Sequence, residues 1–196
     1  RLPESRPRAG LFAGPKPAAP NKNADFCVDL RHGRGINAGD MEHKTNAVRM
    51  LEQKKIPHEI LDCGITEAVS GTRMAQLLGE NPDSVFKTLV TVGKSGEHYV
   101  FMIPVGRELD LKKAAAAVGE KSVAMIKSKD LLPTTGYVHG GCSPIGMKKA
   151  FKTSIDSSAK NFEKILFSAG RIGLQIKAPA SAVEKFARTK YADLTV

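Results

Sequence analysis

The sequence predicts an α+β domain of about seven strands with several short helices. Three observations carry that prediction. Strand-length runs of β-formers recur from residue 58 to residue 178, glycine-rich turns punctuate them, and capped helical segments stand between them. No self-similarity at a period of 20–50 residues suggests a repeat array.

Residues 45–55 place Ala47, Val48, Met50 and Leu51 on one helical face, with Thr45 as N-cap. Pro57 follows, and His58–Cys63 reads as a strand. Thr72–Leu78 is a helix stopped by Gly79, and Pro82-Asp83 starts a turn. Val85–Val92 and His98–Val105 form a hairpin around Lys94-Ser95-Gly96. Leu109–Val118 is a helix with Asp110 near its start and Gly119 at its end. Val123–Ile126 is a brief strand and Lys129–Leu132 a helical turn. Phe151–Ile155, Lys164–Ser168 and Leu174–Ala178 complete the strands, and Pro179 opens a terminal helix to about Arg188.

Residues 1–40 differ from the rest. Arg1–Pro20 is rich in Pro, Gly, Ala and Arg with no apolar period, so it is expected to be disordered or loosely attached. The folded unit is expected over residues 41–196, with Met41 as its natural start and residues 1–40 as a non-native extension. A targeting peptide is the alternative, although no apolar core for secretion is present.

The formal net charge is +10, and residues 1–40, with seven basic and four acidic side chains, hold only +3 of it. The folded part is therefore itself basic, which favours a polyanion such as nucleic acid as partner. Three cysteines without close pairing fit a reducing cytosol. The absence of tryptophan argues against a base-stacking single-strand binder. No apolar run approaches the roughly 20 residues of a membrane span.

Lys87 lies inside an apolar strand, where it either faces solvent or holds a cation beside a pocket, aimed at a phosphate or ester oxygen. Gly140 and Gly141 form an ordinary tight turn before Pro144, or a close backbone approach offering N–H groups to an oxyanion. Ser168-Ala-Gly-Arg-Ile-Gly173 is a plain hairpin, or else its hydroxyl binds substrate and Arg171 meets phosphate. No Gly-x-Ser-x-Gly elbow, phosphate loop or dinucleotide fingerprint is present. His139 and Cys142 are too close in sequence for the usual cysteine-hydrolase pair, and with Cys63 they lack the paired spacing of zinc sites. No metal or other cofactor is expected. Lys112-Lys113, Lys148-Lys149 and Lys152 read as solvated faces or as a path for an RNA strand.

Ser84-Val-Phe-Lys-Thr-Leu89, Leu111-Lys-Lys-Ala-Ala115, Thr135-Gly-Tyr-Val-His-Gly-Gly-Cys-Ser-Pro-Ile-Gly146 and Ser168-Ala-Gly-Arg-Ile-Gly173 occur in one order and spacing. Together they resemble the YbaK/EbsC family, whose nearest members are bacterial Cys-tRNA(Pro) deacylases. The resemblance covers residues 44–196. It implies a mixed sheet curled toward a barrel with helices around it, related to the editing domain of bacterial prolyl-tRNA synthetase.

By that resemblance, Lys87 positions substrate and supports activity. Thr88, Gly140, Gly141, Ser168 and Gly170 belong to the aminoacyl pocket, the two adjacent glycines as oxyanion donors. Cys63 and Ser70 stand where close relatives carry tyrosine and phenylalanine, as pocket-wall positions that bear on selectivity. The family implies no metal and no enzyme nucleophile. In cysteine-specific members the substrate's thiol attacks its own ester, through a strained four-membered thiolactone that needs a near-attack pose. The implied partners are aminoacylated tRNA and, transiently, prolyl-tRNA synthetase, in the cytoplasm. A deacylase for Ala-tRNA(Pro) or another charged tRNA is one alternative, and a non-catalytic tRNA- or synthetase-binding module is another.

Overall fold

The computed structural model describes residues 28–29 and 44–196. The expected extension over residues 1–40 lies outside the described residues apart from Val28–Asp29. That pair forms β1 and runs antiparallel to β2, Glu59–Asp62. The other elements are α1 Asn46–Gln53, α2 Gly71–Leu78, β3 Phe86–Gly93, β4 His98–Pro104, α3 Leu111–Val118, β5 Val123–Met125, α4 Ser128–Thr135, β6 Lys152–Asp156, β7 Ile165–Arg171, β8 Leu174–Ala178, α5 Ser181–Glu184 and β9 Thr189–Ala192.

The predicted caps act as such. Thr45 Oγ1 accepts the Val48 N–H at 3.3 Å, and Asp110 Oδ1 accepts those of Lys112 and Lys113 at 2.8 and 3.1 Å. Each satisfies donors that the first helical turn leaves unpaired. The β3–β4 hairpin pairs Phe86 with Pro104 through to Val92 with His98.

The α+β expectation holds, but the strands do not curl into one barrel. Among the described residues they form two sheets, ordered β1-β2-β8-β7 and β5-β3-β4-β6-β9. The reason lies along β3. Its outer edge is taken by β5 only from Thr91 to Gly93, and β7 packs near it but forms a bridge only at Val85–Leu166, just before β3 begins. The chain leaves β5 at Met125 to enter α4, so among the described residues no strand pairs the outer edge of β3 at its middle, and the barrel stays open there.

β4 lies between β3 and β6 and is buried on both faces. Tyr99, Phe101 and Ile103 pack under Ala114 and Ala115 of α3. Met102 faces the main core with Phe86, Ile155, Phe167, Ile176 and the α1 residues Ala47, Val48 and Leu51.

Two further expectations are corrected. The terminal helix is α5 alone, four residues rather than the stretch to Arg188. The chain then becomes β9, parallel to β6, with the Thr153 N–H donating to the Arg188 carbonyl at 3.0 Å. The open edge of β6 supplies main-chain partners, and that tertiary pairing overrides a local helical preference. The helical turn at 129–132 is also longer, running through Pro133 to Thr135.

Candidate active site

A cavity of about 550 Å³ opens along the unpaired stretch of β3. The start of α2, α4, the 139–142 turn and the β7–β8 pair complete its wall. The wall mixes apolar side chains (Met74, Val85, Phe86, Leu89, Val90) with a few polar groups, a composition suited to a small acyl group carrying polar handles.

Lys87 lines this cavity and is partly buried. Its Nζ lies 3.4 Å from the Val105 carbonyl oxygen. Burial pushes its pKa below the usual lysine range, with Glu108 opposing the shift. Its ammonium is thus incompletely hydrated, and an anionic or partially negative ligand atom would meet it at high effective strength.

Thr88 contributes more than its side chain. The Val105 N–H donates to Val85 O and the Gly93 N–H to Glu97 O, both at 2.8 Å. Odd-numbered residues of β3 therefore bond β4, and even-numbered ones direct their main-chain groups outward. Val90 O is met by the Ile126 N–H at 3.2 Å, but Thr88 lies in the gap between β5 and β7. Its N–H and C=O face the cavity edge with no strand alongside, and its buried Oγ1 has no hydrogen-bond partner. The two main-chain groups are left for a ligand, and the sealed Oγ1, like that of Thr91, is an exception among buried polar groups, which are normally satisfied.

The adjacent glycines divide. Gly140 lines the cavity with φ +81°, and its N–H has no partner among the described residues. Gly141 lies behind it with its N–H donated to the Val138 carbonyl at 3.1 Å. A Cβ there would stand 3.1 Å from Ile172 N, so its glycine serves close backbone packing. Ser168 reaches the cavity, its Oγ accepting the Gly170 N–H at 3.2 Å. Gly170 itself, at φ +97°, lies under the Tyr137 ring and not among the lining residues. Arg171 is tied to Asp62 at 2.9 Å, not aimed at a ligand.

Of the two expected wall positions, Ser70 lines the cavity and also caps α2 through the Arg73 N–H at 3.2 Å. Cys63 does not line it. Its buried Sγ packs 3.5 Å from Met74 Sδ, and Met74 forms the wall. Gln175, opposite Ser168 in the β7–β8 register, lines the cavity and is 5% exposed. Sequence reasoning passed over it, although a glutamine between Leu174 and Ile176 was a readable sign of a polar group inside a core strand.

Tyr137 anchors the glycine turn. Its hydroxyl donates to the Ile145 carbonyl at 2.7 Å, and its ring contacts the Gly170 backbone. Burial pushes its pKa up to about 12, so the hydroxyl stays a donor. Tyr137→Phe should leave that buried carbonyl unpaired and cost about 1–2 kcal/mol in chemical denaturation.

Cys142 also lines the cavity, and burial raises its thiol to about 12. A neutral thiol is a poor nucleophile at pH 7. Cys142→Ala should therefore keep catalytic activity within a few-fold of the parent. Loss of all turnover in a folded variant would make it the attacking group.

Known proteins share the domain that holds this cavity. A sequence model for the aminoacyl-tRNA editing domain matches residues 67–185, which hold α2, β3, the glycine turn and β7–β8. A protein of Enterococcus faecalis named for Cys-tRNA(Pro)/Cys-tRNA(Cys) deacylation, EbsC, is 44% identical over 155 residues, 79% of this chain and 94% of that one. A solved structure described as a trans-editing enzyme for prolyl tRNA synthetase superposes with a TM-score of 0.68 at 22% identity, covering 78% of this chain and 98% of that one. The hypothetical protein APE2540 gives 0.68 at 18% identity, covering 78% and 100%. These two structures share the fold. With the domain match and the 44% identical relative, the chain belongs to the aminoacyl-tRNA editing domain family.

Proposed function

We propose that the chain is a trans-acting editing deacylase that hydrolyses the ester of a misacylated tRNA, with Cys-tRNA(Pro) as its first substrate. The observation that carries this is the single cavity lined by the partly desolvated Lys87, by Thr88 at the open edge of β3 and by Gly140. Family membership and the name of the Enterococcus relative support the same reading.

Attack on the ester carbonyl converts it to a tetrahedral oxyanion. Collapse breaks the bond to the ribose oxygen, which leaves with a proton as the free tRNA hydroxyl. Lys87 and the Gly140 N–H stabilise the negative charge on these oxygens, where preorganised donors are most effective. Ser168 and Gln175 hold the amino group, and Thr88 fixes the acyl unit along the β3 edge. Gly141 and Gly170 serve the shape of the turn and of β7, and Cys63 acts through Met74. The neutral Cys142 leaves attack to water or to the substrate's own thiol. The editing unit is residues 41–196, working in the cytosol beside a transiently bound prolyl-tRNA synthetase. No helix of the described residues is long and apolar enough to cross a membrane.

The experiment is deacylation of tRNA(Pro) charged in turn with cysteine, alanine, serine and proline. Cysteine-charged tRNA should be cleared and proline-charged tRNA spared. Undiminished hydrolysis of the alanine and serine esters would assign attack to water. No hydrolysis of any ester would leave only a binding module.

Thr88→Val tests the edge residue. It replaces an unpaired buried hydroxyl with a methyl group of like shape, so thermal stability should hold or rise, by up to about 1 kcal/mol. Deacylation should persist, because the groups that Thr88 leaves for a ligand are those of its main chain.

A further inference from the structure

A second cleft, of about 470 Å³, lies where β4, β6 and β9 begin. These three strands are parallel neighbours, so His98, Lys152 and Arg188 collect at one end of the sheet. Lys149 joins them from the loop that begins at the glycine turn. Lys149, Lys152 and Arg188 are exposed, and none forms an ion pair among the described residues. Glu97 is the one carboxylate on the wall.

The cations are not free-swinging. Lys149 Nζ lies 5.2 Å from the Phe151 ring centroid, and Lys152 Nζ 5.8 Å from that of Tyr99. His98 packs edge-on against Phe151 at 6.3 Å. Aromatic faces thus restrain Lys149 and Lys152 without an ion pair, although the Glu120 carboxylate, bonded to the Tyr99 hydroxyl, acts on Lys152 from nearby.

The cleft and the cavity share a floor. Val90, Val100, Cys142 and Phe151 form one apolar cluster. Cys142 belongs to the cavity wall and Phe151 to the cleft wall. His98 and Val100 lie on the same face by strand alternation. Lys87 pairs with Ile103, five residues along β4 from His98 and on the opposite face, so a surface path between them is at least about 17 Å at strand rise. That is a span of a few nucleotides.

We propose that this cleft binds the sugar–phosphate backbone of tRNA near its acceptor end, seating phosphates against Lys149, Lys152 and Arg188 while the 3′-terminal ester reaches Lys87. The proposal rests on the deacylase reading for the identity of the RNA, and its binding test does not need turnover.

The test compares the parent with the triple variant Lys149→Ala/Lys152→Ala/Arg188→Ala, using deacylated tRNA(Pro), Cys-tRNA(Pro) and cysteinyl-adenosine, a short ester without phosphates. The variant should bind deacylated tRNA roughly tenfold or more weakly, with a shallower salt dependence, by about one unit per lost phosphate contact. Its kcat/KM on Cys-tRNA(Pro) should fall in parallel, the loss being confined to the long substrate. Lys149→Arg/Lys152→Arg should restore binding. Unchanged tRNA affinity and salt slope would overturn the proposal, as would equal losses on both esters. Loss of synthetase binding with tRNA affinity intact would assign the cleft to a protein partner and overturn it too. If the parent hydrolyses neither ester, the deacylase reading fails while the binding arm still decides the cleft.

Discussion

Replacing Lys87 with alanine should lower single-turnover deacylation by roughly 10²–10³-fold, the loss typical of removing a preorganised charge donor from a reacting oxygen. The fold should survive. The Lys87 ammonium is partly desolvated, and its contact with the Val105 carbonyl is a long one at 3.4 Å. Removing a desolvated cation relieves an unfavourable term, so thermal stability should stay near the parent's. Lys87→Arg should not restore the rate, because a planar guanidinium does not reproduce a compact point charge on the same stem. The pH profile carries a signature as well. Burial lowers the Lys87 pKa, so the ammonium is lost at a lower pH than for an ordinary lysine. Enzyme-dependent turnover, corrected for spontaneous ester hydrolysis, should decline as pH rises through that lowered value, and the alanine variant should lack the decline. A binding module would instead show no hydrolysis to lose.

Gly140→Ala should cost both stability and rate. The residue sits at φ +81°, where a side chain adds about 1–2 kcal/mol of backbone strain. The added Cβ would also fall 2.5 Å from the Ala68 Cβ, so one of the two segments must shift. That shift carries the Gly140 N–H away from the reacting oxygen, and kcat should fall on the order of 10²-fold. Adding Ala68→Gly removes the overlap but not the φ strain. The double variant should therefore recover part of the thermal stability and part of the rate. Parent-like activity in Gly140→Ala would exclude this amide as a donor.

The local signals were legible wherever chemistry is set by neighbours in sequence. Thr45, Asp110 and the β3–β4 turn announced themselves because caps and hairpins depend on a few adjacent residues. Lys87 stood out because a cation inside an apolar strand needs a reason. What the sequence did not reveal is set by contacts distant along the chain. The open edge at Thr88 exists because β5 and β7 each cover only one end of β3, which no pattern within residues 86–93 encodes. Cys63 was placed on the wall, yet Met74 stands in front of it, a matter of which side chain α2 delivers. Gly140 and Gly141 are indistinguishable as letters, and only the Gly141–Val138 hydrogen bond separates an available amide from a committed one. β9, Thr189–Ala192, had no reading of its own because its stabilising partner, the edge of β6, lies far upstream.

The most direct test is a crystal structure with the cysteinyl amide of 3′-amino-3′-deoxyadenosine, a stable mimic of the charged tRNA end. The expected result places its acyl group in the β3 cavity, with Lys87 Nζ turned from the Val105 carbonyl to the mimic and the Thr88 main chain hydrogen-bonded to it. A mimic bound elsewhere, with that cavity unfilled and Lys87 still against Val105, would contradict the assignment of the site.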